Sequence, residues 1–320
     1  MTESEYIREI ERLKKEKNAI IMAHYYQPNK IQEIADFIGD SLALAQQAAK
    51  TDAAIIVLCG VHFMGETAKI ICPQKKVFVP DLSAGCSLAD SINANDLKSF
   101  KEENPDYLVV SYVNTSAEVK ALTDICVTSS NARKIIDMLP QDEKILFCPD
   151  RNLGSYINSV TGRNMRLWNG ACHVHERFSV EALIEYKRKY PNAKVLAHPE
   201  CKAALIKLAD IVGSTQALLN YAKNSNEKEF LVATESGIIF EMKRACPNKN
   251  FIPIPPEISE LTDEKGNIIP CVCNECNYMR LTTLEKVYRC LLDGVGEIKV
   301  DKEVSKAALS CIKKMLEMSK

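Results

Sequence analysis

Ala23-His24-Tyr25-Tyr26, Ser111-Tyr112-Val113-Asn114 and Ala197-His198-Pro199-Glu200 each follow directly on a short apolar run, and this triple match decides the reading of the fold. Twelve residues beyond His24, Tyr112 and His198 stand Asp36, Asp124 and Asp210, and five further on come Ser41, Ser129 and Thr215, each read as opening the next helix. The copies lie 88 and then 86 residues apart. Self-similarity at a near-constant period marks a repeated unit.

Outward from these anchors, β-branched runs alternate with amphipathic stretches: Ala19 to Met22, Ala54 to Leu58 and Val77 to Val79; Tyr107 to Val110, Ile145 to Cys148 and Arg166 to Trp168; Lys194 to Ala197, Phe230 to Ala233 and Phe251 to Ile254. Short strands separated by helical segments are the pattern of βαβ units with parallel sheets. The expected fold is therefore α/β, three pseudo-equivalent αβα units with small parallel sheets around a pseudo-threefold axis. The expected units are 1–95, 96–182 and 183–320, the last carrying a C-terminal cysteine loop and helix. In open parallel sheets ligands sit beyond the carboxyl ends of the strands. That assigns His24, Tyr26, Tyr112, Asn114, His198 and Glu200 to the wall of one common site.

Composition narrows what the site can take. Lys and Arg total 41 against 42 Asp and Glu, with no long basic run, so the footprint of a nucleic-acid or anionic-membrane binder is missing. No apolar stretch approaches the roughly 20 residues of a membrane span, and the polar start from Met1 to Glu16 lacks a signal-peptide core. A small-molecule substrate and a cytoplasmic location are expected. Thirteen cysteines, an odd number, argue for metal or redox chemistry at some of them rather than a disulfide framework.

Cys86 and Cys172 are 86 residues apart, the period of the repeat, and each follows the third strand of its unit. The corresponding loop of the third unit ends in Cys271-Val272-Cys273-Asn274-Glu275-Cys276, and Cys276 is the closest counterpart in its position before a helix. Three equivalent loops would present three thiolates to one point, a set suited to a [4Fe–4S] cluster with one iron left open as a Lewis acid. Taken alone, Cys271, Cys273 and Cys276 also read as part of a zinc site.

The segments Ala23-His24-Tyr25-Tyr26-Gln27, Gly39-Asp40-Ser41-Leu42, Asp81 to Cys86, Tyr112-Val113-Asn114, Asp150 to Gly154, Trp168 to Cys172, His198 to Cys201, Thr234 to Gly237 and Cys276 to Met279, taken in order, closely resemble the quinolinate synthase family. The resemblance implies three α/β domains around a [4Fe–4S] cluster held by Cys86, Cys172 and Cys276. It also implies a transferase-type condensation of iminoaspartate with dihydroxyacetone phosphate to quinolinate, phosphate and water in NAD biosynthesis. Its source of iminoaspartate would be an L-aspartate oxidase or dehydrogenase. Asn277 departs from the proline common in the family after the third ligand.

Such a reaction needs proton shuttles, oxyanion donors and anion sites. Glu200 is the expected general acid or base, with His24 and His198 as hydrogen-bond or proton partners. Tyr26 and Tyr112 are expected donors to developing oxyanions, Tyr26 also a proton shuttle, and Asn114 an orienting amide. Ser41, Ser129, Ser214 and Thr215, at helix starts, are expected to hold phosphate and carboxylates. Asp36, Asp124 and Asp210 are read as structural, stabilising the turn before each helix; His62, His173 and His175 lack threefold support and, although the His173-x-His175 spacing suggests metal binding, are given no role. Two other readings remain open: a hydro-lyase using the same open iron, and a zinc-stapled binding module.

Overall fold

Both faces of the apolar runs are covered, and this is why they are strands. Ile21, Met22, Ala23, Val109, Val110, Leu196 and Ala197 are all buried, as in parallel sheets flanked by helices. The computed structural model describes residues 1–257 and 274–320, together with the backbone of 261–262 and 268–269. Strands β1 (Ala19–His24), β2 (Phe37–Gly39), β3 (Ile55–Cys59) and β4 (Lys76–Phe78) form one sheet. Strands β5 (Leu108–Tyr112), β6 (Ile125–Val127), β7 (Ile145–Cys148) and β8 (Arg166–Leu167) form a second, and β9 (Lys194–Ala197), β10 (Ile211–Val212), β11 (Glu229–Ala233) and β12 (Asn250–Pro253) a third. A short antiparallel pair joins Leu261–Thr262 to Ile268–Ile269.

The three sheets are parallel throughout and share one order, β2-β1-β3-β4, β6-β5-β7-β8 and β10-β9-β11-β12. Their registers match as well: Ala23 pairs with Cys59, Ser111 with Cys148 and Ala197 with Ala233. The α/β class and its threefold repetition are thus as expected. The count of strands is not, because each sheet has a fourth strand, β2, β6 or β10, where sequence suggested a turn. These strands are two or three residues long, too short for a side-chain period to declare itself.

The repeated aspartates explain how such short strands hold. Asp36, Asp124 and Asp210 each accept the N–H of a residue in the neighbouring first strand, Ile21 at 2.9 Å, Val109 at 2.8 Å and Val195 at 2.8 Å. Their own N–H groups return to the carbonyls of the same three residues. Lys14, Lys101 and Lys194 add an ion pair to each carboxylate. The role is structural, as expected, but it anchors a strand rather than a helix turn. Ser129 also differs from its expectation, since the helix Ala132–Asp137 starts at Asn131 and leaves Ser129 in the turn before it.

The C-terminal helices return to the first two sheets. Leu284, Val287, Cys290 and Leu291, from helix Leu284–Asp293, pack with Ile10, Leu13 and Ile21. Ala308, Cys311, Ile312 and Met315, from helix Lys302–Met318, pack with Ala45, Ile70, Ala117 and Cys126. The third sheet meets the first at Gly237, where an added Cβ would lie 2.8 Å from the Cα of Tyr26 and 2.9 Å from the carbonyl of Tyr25. The Gln32 side chain, buried beneath, bonds the carbonyls of Tyr25, Gln27 and Gly237. Together these contacts close the three units around a shared centre.

Candidate active site

Three loops enter that centre by one backbone device. The residue three positions past each central strand donates its N–H across to the opposite loop: His62 to Ala84 at 2.7 Å, Arg151 to Gly170 at 2.9 Å and Ser236 to Asn274 at 3.1 Å. Each acceptor lies two residues before a cysteine: Cys86, Cys172 and Cys276. Each cysteine then opens a single tight turn, Ala89–Ser91, His175–Arg177 or Met279–Leu281. Its carbonyl accepts the N–H four residues on, from Asp90, Glu176 and Arg280 in the three cases. Cys276 therefore occupies the register of Cys86 and Cys172, while Cys271 and Cys273 lie outside the described residues.

All three thiols line one cavity. Burial pushes the Cys86 thiol up to about 12 and Cys172 well above its ordinary value, and each is raised further by the neighbouring cysteines and Glu200. Backbone N–H groups of the turns, from Leu88 and Ala89, from His175, and from Tyr278 and Met279, work the other way on the three sulfurs. Convergent soft donors that cannot ionise in this burial without added positive charge, yet have amides aimed at them, fit a thiophilic iron–sulfur centre.

The rims beyond β1, β5 and β9 supply the rest of the wall. His24, Tyr26, Tyr112, Asn114, His198 and Glu200 all face the same cavity, with Ser41, Ser129 and Thr215. Nδ1 of His24 accepts the N–H of Tyr26 at 3.2 Å, and Nδ1 of His198 that of Glu200 at 3.4 Å. The ring proton of each is thereby placed on Nε2. Burial holds both imidazoles down at about 3, so they are neutral at pH 7, which suits the hydrogen-bond side of the role expected for them; Nε2 of His198 lies 3.2 Å from the Ser129 hydroxyl.

Glu200, 3 % exposed, is the hub. Tyr112 donates to it at 2.6 Å, and Nδ1 of His175 lies 3.0 Å from its other oxygen. Burial alone would raise this carboxyl, but His175, His198 and the Tyr112 hydroxyl hold it below the usual carboxylate range. Burial and the Glu200 charge keep the Tyr26 and Tyr112 phenols protonated. Tyr26 bonds Thr215 at 2.8 Å and Thr234 at 2.9 Å. The Oδ1 of Asn114 is buried without a partner among the described residues, an acceptor waiting for a donor from a bound molecule.

At the far pole the N-terminal turns of helices Ser41–Lys50 and Thr215–Asn224 converge. Asp40 and Ser214 cap them and are joined through Ser130 at 2.5 and 2.8 Å. The Ser214 hydroxyl is spent on this capping and is not part of the cavity wall, unlike Ser41, Ser129 and Thr215.

His175 and Glu235 also line the cavity, and sequence reasoning gave neither a role. The Nε2 of His175 lies 3.0 Å from Thr234 and its ring stacks on His198 at 4.6 Å. Donor atoms of Cys172, His175 and Glu200 fall within 4.8 Å of one another. The usable signal was its place three residues after a repeated cysteine.

Residues 8–317 match the family model described as NadA, quinolinate synthetase A protein. The chain is 52% identical over 320 residues to quinolinate synthase of Chloroherpeton thalassium, covering 100% of this chain and 96% of that protein. It is 54% identical over 310 residues to the quinolinate synthases of Microcystis aeruginosa and a Synechocystis species, in each case 97% of this chain and 94% of the relative.

Proposed function

The chain belongs to the quinolinate synthase family, and from that membership we propose that it condenses iminoaspartate with dihydroxyacetone phosphate to quinolinate, releasing phosphate and water, in NAD biosynthesis. Cys86, Cys172 and Cys276 would hold a [4Fe–4S] cluster by three thiolates. When bound, such a cluster supplies an iron without a protein ligand, an open Lewis-acid position. The observation that carries the reading is the convergence of three equivalent cysteine turns and the Glu200 network on one cavity.

Glu200 is the proton carrier of this scheme. Its carboxylate, oriented by Tyr112 and His175, accepts a proton as the triose enolises and returns one during dehydration. His24 and His198 present Nε2–H to carbonyl or carboxylate oxygens, and Tyr26 donates from its hydroxyl. Asn114 accepts from the imine N–H through Oδ1. Ser41, Ser129 and Thr215 take the phosphate, helped by the helix N-termini at that pole, each contributing about 0.3–1 kcal/mol. An oxidase or dehydrogenase acting on L-aspartate would supply the short-lived imine. The unit boundaries 1–95, 96–182 and 183–320 stand as part of the same proposal. Among the described residues no helix is long and apolar enough to cross a membrane.

Anaerobically purified protein, given dihydroxyacetone phosphate and freshly generated iminoaspartate, should form quinolinate detectable by chromatography. Absence of a pyridine product from protein with intact iron and sulfide overturns the reaction. About one zinc per chain with no iron or sulfide overturns the cluster.

A further inference from the structure

The matched registers make the position two residues past each central strand equivalent: Val61 after β3, Asp150 after β7 and Glu235 after β11. All three sit beside the cysteine loop of their own unit. In the first the side chain is apolar, whereas in the other two it is a buried carboxylate. Glu235 is bound on every side, its Oε1 accepting the backbone N–H of Cys276 at 3.1 Å and Arg280 at 3.0 Å, its Oε2 the N–H of Gly237 at 2.7 Å. Asp150 caps the helix Arg151–Thr161 with Oδ1, which accepts Leu153 N–H at 2.7 Å. Its Oδ2 makes no hydrogen bond among the described residues, although the N–H groups of Cys172 and Asn152 act on that carboxyl.

We propose that Glu235 is a positioning residue: its carboxylate oxygen grips the backbone N–H of Cys276 and so fixes where that thiol points. The inference rests on the cluster reading above. Cys276 has the greater need of such a grip. Cys86 and Cys172 stand a few residues beyond β4 and β8, but the segment from Pro253 to Cys276 is much longer, and a long connection leaves more freedom to remove. Besides Glu235, the turn is held by Gln27 to the carbonyl of Met279 at 2.8 Å and by Ser236 to Asn274. Glu235 alone of these bonds the cysteine itself.

The test separates reach from charge. Glu235→Gln keeps an oxygen at the same distance and loses the charge; Glu235→Asp keeps the charge and withdraws the oxygen by one methylene. Iron and sulfide per chain, the rate of iron release to a ferrous chelator, and the melting temperature of the cluster-free protein are measured for each. Glu235→Asp should release iron about 10–100-fold faster than wild type, the usual cost of losing a partner behind a metal ligand. Glu235→Gln, whose amide oxygen can still accept the Cys276 N–H, should stay within about threefold, and the order of iron release should not follow the order of the cluster-free melting temperatures. Equal release from all variants, or faster release from Gln than from Asp, overturns the inference alone. Wild-type protein without iron or sulfide overturns the cluster reading, and this inference with it.

Discussion

The rims of the first and third units carry histidine where the second carries tyrosine, on equivalent ends of β1, β9 and β5. His24 and His198 turn Nδ1 back to the chain two residues on, which leaves Nε2 for other partners, the Ser129 hydroxyl at 3.2 Å in the case of His198. Tyr112 instead sends its hydroxyl across a unit boundary to Glu200. The backbone is the same and the proton chemistry differs. The difference teaches that repetition decides where a side chain points, while a departure from repetition decides what it does there.

The largest break in the comparison comes at Glu200. Under the proposed reaction Glu200→Gln should lower quinolinate formation about 10²–10⁴-fold with iron content unchanged. Next are the histidine rims. His198→Ala should lose about 100-fold through the missing donor, and His198→Gln, which restores an N–H near the same place, should recover most of it; equal loss in both would remove the donor role.

The aspartate anchors test the shared part of the repeat. Asp36→Ala, Asp124→Ala and Asp210→Ala should each cost about 1–2 kcal/mol in urea unfolding, at similar values in the three units and without a change in turnover per folded molecule. A cost confined to one unit would break the equivalence. The finest test is in pH, read as a slope. His24 and His198 sit at about 3 when folded against an ordinary 6.5, so the unfolded chain binds more protons between those values. Stability is therefore complete above pH 6.5 and falls as the pH drops, by about 1.4 kcal/mol per histidine at the first unit below 6.5. Urea midpoints of His24→Gln and His198→Gln should show a shallower slope.

The sequence made much of this legible, because a repeat puts the same residue type at the same place three times. The Asp36, Asp124 and Asp210 series fixed the period, and Cys86 with Cys172 followed it. The fourth strands were hidden because two or three residues carry too little pattern, and their hold comes from an aspartate rather than from alternating side chains. His175, Asp150 and Glu235 were hidden for the opposite reason. The counterparts of His175 are Ala89 and Met279, so no recurrence marked it, while Asp150 and Glu235 match each other only as carboxylates of different length, with Val61 in the third place. The neutral state of His24 and His198 could not be read either, since it depends on burial produced by all three units together.

The cavity wall draws on residues from His24 to Met279 of a chain of 320, so no single unit owns it. At about 5–20 residues per second, a ribosome spends most of the synthesis time before the last wall residue exists. The centre can be furnished only once the chain has been made as far as Met279. A prematurely terminated product could thus carry well-formed sheets and still offer nowhere for substrate to bind.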